Sequence, residues 1–146
     1  WYRTAQWLDR CRIPLLPDII DYAIRLVFSC WLPHKVTAGN KLVLGYGGLG
    51  VVIHCDAVIG DNVHIDQGVT VGGNGTAYGV PQIESNVYIG AGAKILGPIR
   101  VGQGSVIGAN AVVVHDVPPR SLVVGVPSRV IRSDINIQTF LYHRRP

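Results

Sequence analysis

The sequence predicts an all-β solenoid, a parallel β-helix, on three observations. Branched aliphatics recur six apart at Ile53, Ile59, Ile65 and Val71, and after one interruption the same phase resumes at Ile83, Ile89, Ile95, Val101, Ile107 and Val113. Glycine follows many of them (Gly60, Gly72, Gly90, Gly102, Gly108). A small or β-branched residue stands four places on (Ala57, Val63, Val69, Ala93, Ser105, Ala111). Neither a 3.6-residue helix nor a long strand alternating every two residues sustains a strict six. One short strand and one corner every six residues keeps each aliphatic pointing inward, and glycine, Asn or Asp tolerates the corner backbone. Three such units close one triangular coil, and hexapeptide repetition is the signature of that architecture. A β-sandwich would instead space its turns about 8–12 residues apart.

Residues 1–31 are different in kind and form an N-terminal helical segment. After Arg3, Arg10 and Arg12, the stretch from Pro17 to Trp31 predicts a helix: Pro17 suits its first position, and Asp18, Asp21, Arg25 and Ser29 fall on one stripe with nearly everything else apolar. A helix of about fourteen residues reaches about 21 Å, short of the roughly 30 Å hydrocarbon core, so it does not span a membrane by itself. Its wide apolar face is expected to pack on the solenoid or on neighbouring subunits. The sharper alternative is peripheral contact with an anionic membrane, helped by the nearby arginines.

The solenoid domain is expected over residues 32–132, with a loop at 72–82 and a C-terminal tail at 133–146. Gly45-Tyr-Gly47-Gly-Leu-Gly50 matches G-x-G-x-x-G, yet that fingerprint needs a following helix to face a pyrophosphate, and here Val51-Val52-Ile53-His54 leads into the repeat. It reads as a glycine-rich bulge between coils. The second interruption, Gly72 to Gln82, is glycine-rich and bounded by Pro81, so it leaves the coil as a loop, and loops on a rigid scaffold are where sites are built.

Composition narrows the function. The 48% hydrophobic and 15% charged content suits one domain that stacks its interior, and 18 glycines without a Gly-X-Y period exclude collagen. The net charge of +4 is spread over Arg3, Arg10 and Arg12 and over Arg129, Arg132, Arg144 and Arg145, in no single run and beside no nucleic-acid module. No nucleic acid is expected as a partner; a phosphorylated small molecule or an acidic surface is. Three cysteines, odd in number and without a C-x-x-C pair, point to a reducing, cytoplasmic compartment. With Trp1 first and no methionine, further residues are expected upstream.

The run VTVGGNG, then VPQIESNVYIGAGAKILGPIRVGQGSVIGANAVVVHDVPPRSLVVGVPSRVI, resembles the hexapeptide-repeat acyltransferases, most closely the serine acetyltransferase branch with its polysaccharide O-acetyltransferase relatives. The resemblance covers roughly residues 31–132, through IGAGAKILG at 89–97, IGANAVV at 107–113 and DVPP…GVPSRVI at 116–131. It implies a left-handed β-helix, homotrimers with active sites between subunits, and acetyl-CoA as donor. By position, Gly90, Ala91, Gly92, Ala93, Gly108 and Ala109 are similar to stretches whose backbone lies along the pantetheine arm. Lys94 and Arg129 are similar to its phosphate contacts. Corner geometry alone would also ask for these glycines.

The same resemblance places the family's two catalytic histidines at Gly47, in the bulge, and Val80, before the proline that closes the loop. Neither residue moves a proton. Attack of a hydroxyl on a thioester needs a base, donors for the oxyanion and a thiolate leaving group, and histidine suits the base near neutral pH. Of His34, His54, His64, His115 and His143, the catalytic candidates are His54 and then His64. His54 follows inward Ile53, so it points outward, and it is expected close to the bulge. His64 precedes inward Ile65 and is expected to stack beneath Tyr88. Either could also be a hydrogen-bonded surface residue. Cys55 is expected to face away from His54, as neighbours on a strand do, and His54, Cys55, Asp56 and His64 match no zinc spacing, so no metal is expected. Tyr46, Asn74 and Tyr78 are the expected acceptor contacts. The function read from all this is acetyl transfer to a hydroxyl, of a sugar in surface polysaccharide synthesis, with serine as the alternative acceptor and a silent trimeric scaffold as the alternative class.

Overall fold

The computed structural model describes residues 1–13 and 15–140. Helices α1 (Tyr2–Arg10) and α2 (Leu16–Phe28) precede a parallel β-solenoid. Its first coil holds β1 (Thr37–Ala38), β2 (Val43–Leu44) and β3 (Val52–Ile53). The second holds β4 (Val58–Ile59), β5 (His64–Ile65) and β6 (Thr70–Gly72), and the third β7 (Gln82–Ile83), β8 (Tyr88–Ile89) and β9 (Lys94–Leu96). The fourth holds β10 (Arg100–Val101), β11 (Val106–Ile107) and β12 (Val112–Val113), before β13 (Leu122–Val124) and β14 (Arg129–Arg132). Three sheets result, in the orders β1-β4-β7-β10, β2-β5-β8-β11-β13-β14 and β3-β6-β9-β12.

The register explains the six-residue spacing. Ile53, Val71, Ile95 and Val113 stack directly above one another, as do Ile59, Ile83 and Val101, and Ile65, Ile89, Ile107 and Val123. These columns are buried and meet along the solenoid axis. A plain coil takes eighteen residues, from Ile53 to Val71, whereas Ile59 and Ile83 lie twenty-four apart because the loop is inserted between them. At the corners Asn62, Asn86 and Asn110 take φ of 55–57°, where Asn is tolerated among L-residues. The Asn62 side-chain amide donates to Asn86 Oδ1 at 2.8 Å, tying successive corners.

The N-terminal segment corrects two expectations. First, α1 was not anticipated: it buries Ala5 and Leu8, and the Tyr2 hydroxyl and the Gln6 amide both donate to the Val36 carbonyl, fastening it to the first coil. Second, α2 starts one residue before Pro17 and ends at Phe28, where Ser29 turns left-handed. It buries Pro17, Asp21 and Ile24, of which Ile24 joins the solenoid core, while Ile19, Leu26 and Val27, with Leu15 just before the helix, are exposed. The wide apolar face is therefore not what packs on the solenoid. A member of the polar stripe, Asp21, is buried instead because His34 satisfies it.

The far end closes differently from the rest. Strand β14 runs antiparallel to β13, Ile135 is buried, and Arg120 donates to Asp134 at 2.6 Å. His143, Arg144 and Arg145 lie outside the described residues. Among the described residues no helix is long and apolar enough to cross a membrane.

Candidate active site

Two corners of the solenoid carry the residues of interest. At the first, the chain passes from the sheet of β2 to the sheet of β3. The bulge Gly45–Gly48 stands there in the first coil, followed in later coils by 66–68, 90–92 and 108–110. At the second, the chain passes from the sheet of β3 to the sheet of β1. His54, Cys55 and Asp56 stand there in the first coil, and the loop 73–81 leaves directly above them, since the His54 N–H donates to the Val71 carbonyl. His54 is thus separated from the bulge by the width of a sheet face, which corrects the expectation that it lies close by.

The bulge corner holds an ordered polar cluster. Bulge residues Tyr46 and Gly47 have φ of 52° and 70°, and Tyr46 projects into solvent. The chain runs from them into β3 and not into the helix that a dinucleotide fingerprint requires. Asp66 packs directly on this bulge: a Cβ on Gly45 would lie 2.6 Å from Asp66 Oδ1. His64 stacks between Val43 and Tyr88, as its spacing implied, with its ring centroid 5.3 Å from that of Tyr88. Asp66 Oδ1 lies 3.1 Å from His64 Nε2, and the Tyr88 hydroxyl donates to Asp66 Oδ2 at 2.5 Å. Sequence reasoning missed Asp66. Asp66 opens the corner after β5, where strand alternation no longer fixes a side chain's direction, and the register between coils is what brings it to His64.

The loop corner is looser. The His54 side chain is 44% exposed, and its Nδ1 accepts the Asp56 backbone N–H at 3.2 Å. Cys55 Sγ lies 3.7 Å from the same Nδ1. It does not face away, because the two residues belong to a corner and not to a strand. A cleft of about 500 Å³ runs from His54 along Thr70 to Trp31, Tyr22 and His34. Ligand atoms of His54, Cys55 and Asp56 lie within 4.8 Å of one another, as do those of Asp18, Asp21 and His34. In the first group a backbone N–H already occupies His54 Nδ1, and in the second Asp21 and His34 satisfy each other.

The expected donor residues form a column up the bulge corner. Gly90 and Gly92 answer to coil stacking, because a Cβ would fall 2.8 Å from the Ala109 nitrogen and 2.1 Å from Asn110 Oδ1, respectively. Gly108 is closed in the same way by Val124, and Ala93 is buried. What remains open is the surface itself, where Ala91 is half-buried and Ala109 exposed, so a long thin ligand laid there meets methyl groups and backbone. The Lys94 ammonium is held by the Gly68 carbonyl at 2.6 Å and Thr70 Oγ1 at 3.2 Å, pointing toward the N-terminal coils. Arg129 is exposed at the opposite end, in β14. Asn74 Oδ1 accepts from the Thr76 and Ala77 backbone and so shapes the loop, while Tyr78 stands fully in solvent at its tip. Within one protomer Tyr46 belongs to one corner and Asn74 and Tyr78 to the other. Beneath the bulge, burial pushes the Cys30 thiol up to about 11, which keeps it protonated.

Residues 81–115 match the family described as bacterial transferase hexapeptide (six repeats). Over 146 aligned residues, 94% of this chain and 67% of the relative, the sequence is 40% identical to a serine acetyltransferase of Bacillus subtilis. The chain belongs to the hexapeptide-repeat acyltransferases, in the serine acetyltransferase branch. A serine acetyltransferase of Synechococcus elongatus is 38% identical across 99% of this hexapeptide-repeat chain and 60% of its own length. The crystal structure of a serine acetyltransferase from Brucella abortus strain S19 in complex with coenzyme A superposes with a TM-score of 0.84 at 37% identity, over 90% of this chain and 53% of that one. This acyltransferase chain therefore spans roughly half to two thirds of the proteins it matches. Gly47 and Val80, which the resemblance aligns with the branch's histidines, sit in the bulge and at the end of the loop. Val80 lines a cleft of about 540 Å³ with Asp56, Arg100 and Asp116. Each of the two places has a histidine nearby: His64 with Asp66 over the bulge, and His54 under the loop.

Proposed function

We propose that this protein is an acetyl-CoA-dependent O-acetyltransferase working as a homotrimer in the cytoplasm. The observation that carries the reading is the bulge corner, where the open column of Ala91 and Ala109 leads down to a histidine paired with a carboxylate. Acetyl-CoA supplies the thioester. A histidine of this chain takes the proton of the acceptor hydroxyl as the new C–O bond forms, and returns it to sulfur as the C–S bond breaks. Because His54 Nδ1 accepts a backbone N–H, its neutral ring carries the proton on Nε2 and suits a donor toward acceptor or oxyanion. The bulge and loop corners stand on opposite edges of one sheet face, so a site using both needs the loop corner of a neighbouring subunit. Arg129 is exposed and donates only to the Ser128 carbonyl next to it, whereas Lys94 must leave two hydrogen bonds before it reaches the phosphates.

The relatives named above favour the hydroxyl of serine as acceptor. Gly47 and Val80 favour a second reading, a sugar hydroxyl, since the histidines that serve the serine enzymes are absent from both places. The test is release of CoA thiol from acetyl-CoA with serine, free sugars, nucleotide sugars and oligosaccharides in parallel. Turnover on serine establishes the first reading, and turnover on a saccharide with serine inert establishes the second. Silence with every acceptor, in a trimer that binds CoA, leaves a scaffold.

A further inference from the structure

We propose that His64 is the base of this reaction, and that Asp66, held in turn by Tyr88, is the positioning residue that fixes its tautomer; the inference rests on the acetyl-transfer reading above. The two family histidine positions are empty of titratable groups, so the base must come from elsewhere in the chain. His54 has its acceptor nitrogen occupied, because Nδ1 takes the Asp56 backbone N–H and becoming a cation would forfeit that bond. His64 is arranged the other way round. Its Nε2 faces Asp66 Oδ1 at 3.1 Å, so the neutral ring carries its proton on Nε2. Among the described residues no hydrogen bond engages its Nδ1, and with the side chain 33% exposed that lone pair is reachable by an acceptor.

The carboxylate is itself fixed. One oxygen serves His64 and the other receives the Tyr88 hydroxyl, while the Tyr88 ring covers the imidazole at 5.3 Å. When Nδ1 takes the hydroxyl proton, the ring becomes a cation between an aromatic face and a carboxylate, both of which favour it. Asp66 touches no reacting atom and acts only through His64. Its contact with Gly45 places the pair immediately over the bulge.

The test uses the full chain with 15N-labelled histidine. Long-range 15N–1H correlations are expected to show His64, assigned by the resonance lost in His64→Gln, as the Nε2–H tautomer. With an acceptor that turns over, His64→Gln is expected to lower kcat by about 10²-fold or more, the share a positioned general base supplies, with His115→Gln unaffected. Asp66→Ala is expected to lose the tautomer preference and about 10²-fold in kcat, with KM for acetyl-CoA within about twofold. Asp66→Asn, which still accepts from Nε2–H, recovers part of that loss. An Nδ1–H tautomer in the wild type, or undiminished turnover in His64→Gln, overturns this assignment and leaves the acetyl-transfer reading standing. A wild type that releases no CoA with any acceptor overturns both.

Discussion

The carboxylate of Asp21 holds His34 at three points: its oxygens accept the His34 backbone N–H at 3.0 and 3.1 Å, and Oδ2 lies 2.8 Å from the ring Nδ1. Both residues are buried, and Asp9 of α1 approaches the other ring nitrogen at 3.8 Å. This clasp ties both helices to the start of the first coil. Asp21→Ala leaves a buried N–H and imidazole without their acceptor and is expected to destabilise the protein by about 3–5 kcal/mol. Urea unfolding followed by tryptophan fluorescence measures it; a loss under about 1 kcal/mol, the range of exposed pairs, would show that the clasp is ornamental.

The stacked columns make a sharper contrast of burial. Ile89 is fully buried between Ile65 and Ile107, so Ile89→Ala is expected to cost about 2–5 kcal/mol. Val58, on the outer side of β4, is exposed, and Val58→Ala is expected to stay within about 0.5 kcal/mol. Thermal unfolding of the two variants side by side decides it; equal losses would mean that the columns do not carry the core.

Cys30 gives the protein an alkaline limit. Its thiol moves from the ordinary 9.0 to about 11 through burial, so between those values the unfolded chain loses the proton while the folded one keeps it. The unfolded state then binds fewer protons and stability falls as pH rises through the window, by at most about 1.4 kcal/mol for each unit of separation. Cys30→Ala is expected to flatten this part of the stability profile. Thiol titration is expected to label exposed Cys11 at once and Cys30 only on unfolding.

Restoring histidine is the direct probe of the acceptor. If Gly47 and Val80 set the acceptor, the double variant Gly47→His and Val80→His gains turnover on serine over the wild type, despite the φ of 70° that a side chain at position 47 must adopt. The paired measurement is CoA release on serine by both proteins at matched concentration. No gain, in a variant that still binds acetyl-CoA, would mean that acceptor choice lies outside those two positions.

Much of this architecture was legible because a six-residue period constrains every residue at once. Ile53, Ile59 and Ile65 could be placed inward before any coordinates, and the twelve-residue gap from Val71 to Ile83 sufficed to stack His64 under Tyr88. What escaped depends on contacts that local pattern does not encode. Helix α1 is short and polar, and it is held by Tyr2 and Gln6 reaching Val36, 34 and 30 residues away in sequence. Asp21 looked like a solvent-facing member of a polar stripe because its partner lies thirteen positions on, beyond the helix. The Cys55 orientation failed for a local reason, since strand alternation does not hold across a corner. Family alignment located Gly47 and Val80, but only the register between coils brought Asp66 onto the bulge beside His64.

The antiparallel turn of β14 has a consequence for how copies of this protein meet. A parallel solenoid that simply stopped would offer its last rung as an open row of amide and carbonyl groups, matched in spacing to the first rung of another molecule. Because every rung has nearly the same shape, such ends would join without limit, as stacked strands do in fibrils. Reversing direction at β14 presents a strand of the wrong polarity, and its Arg129 and Arg132 put like charges where a second molecule would dock. The closing hairpin thus covers the last rung of its sheet, and a chain truncated after Gly125 is expected to self-associate more than the full chain, as read by light scattering.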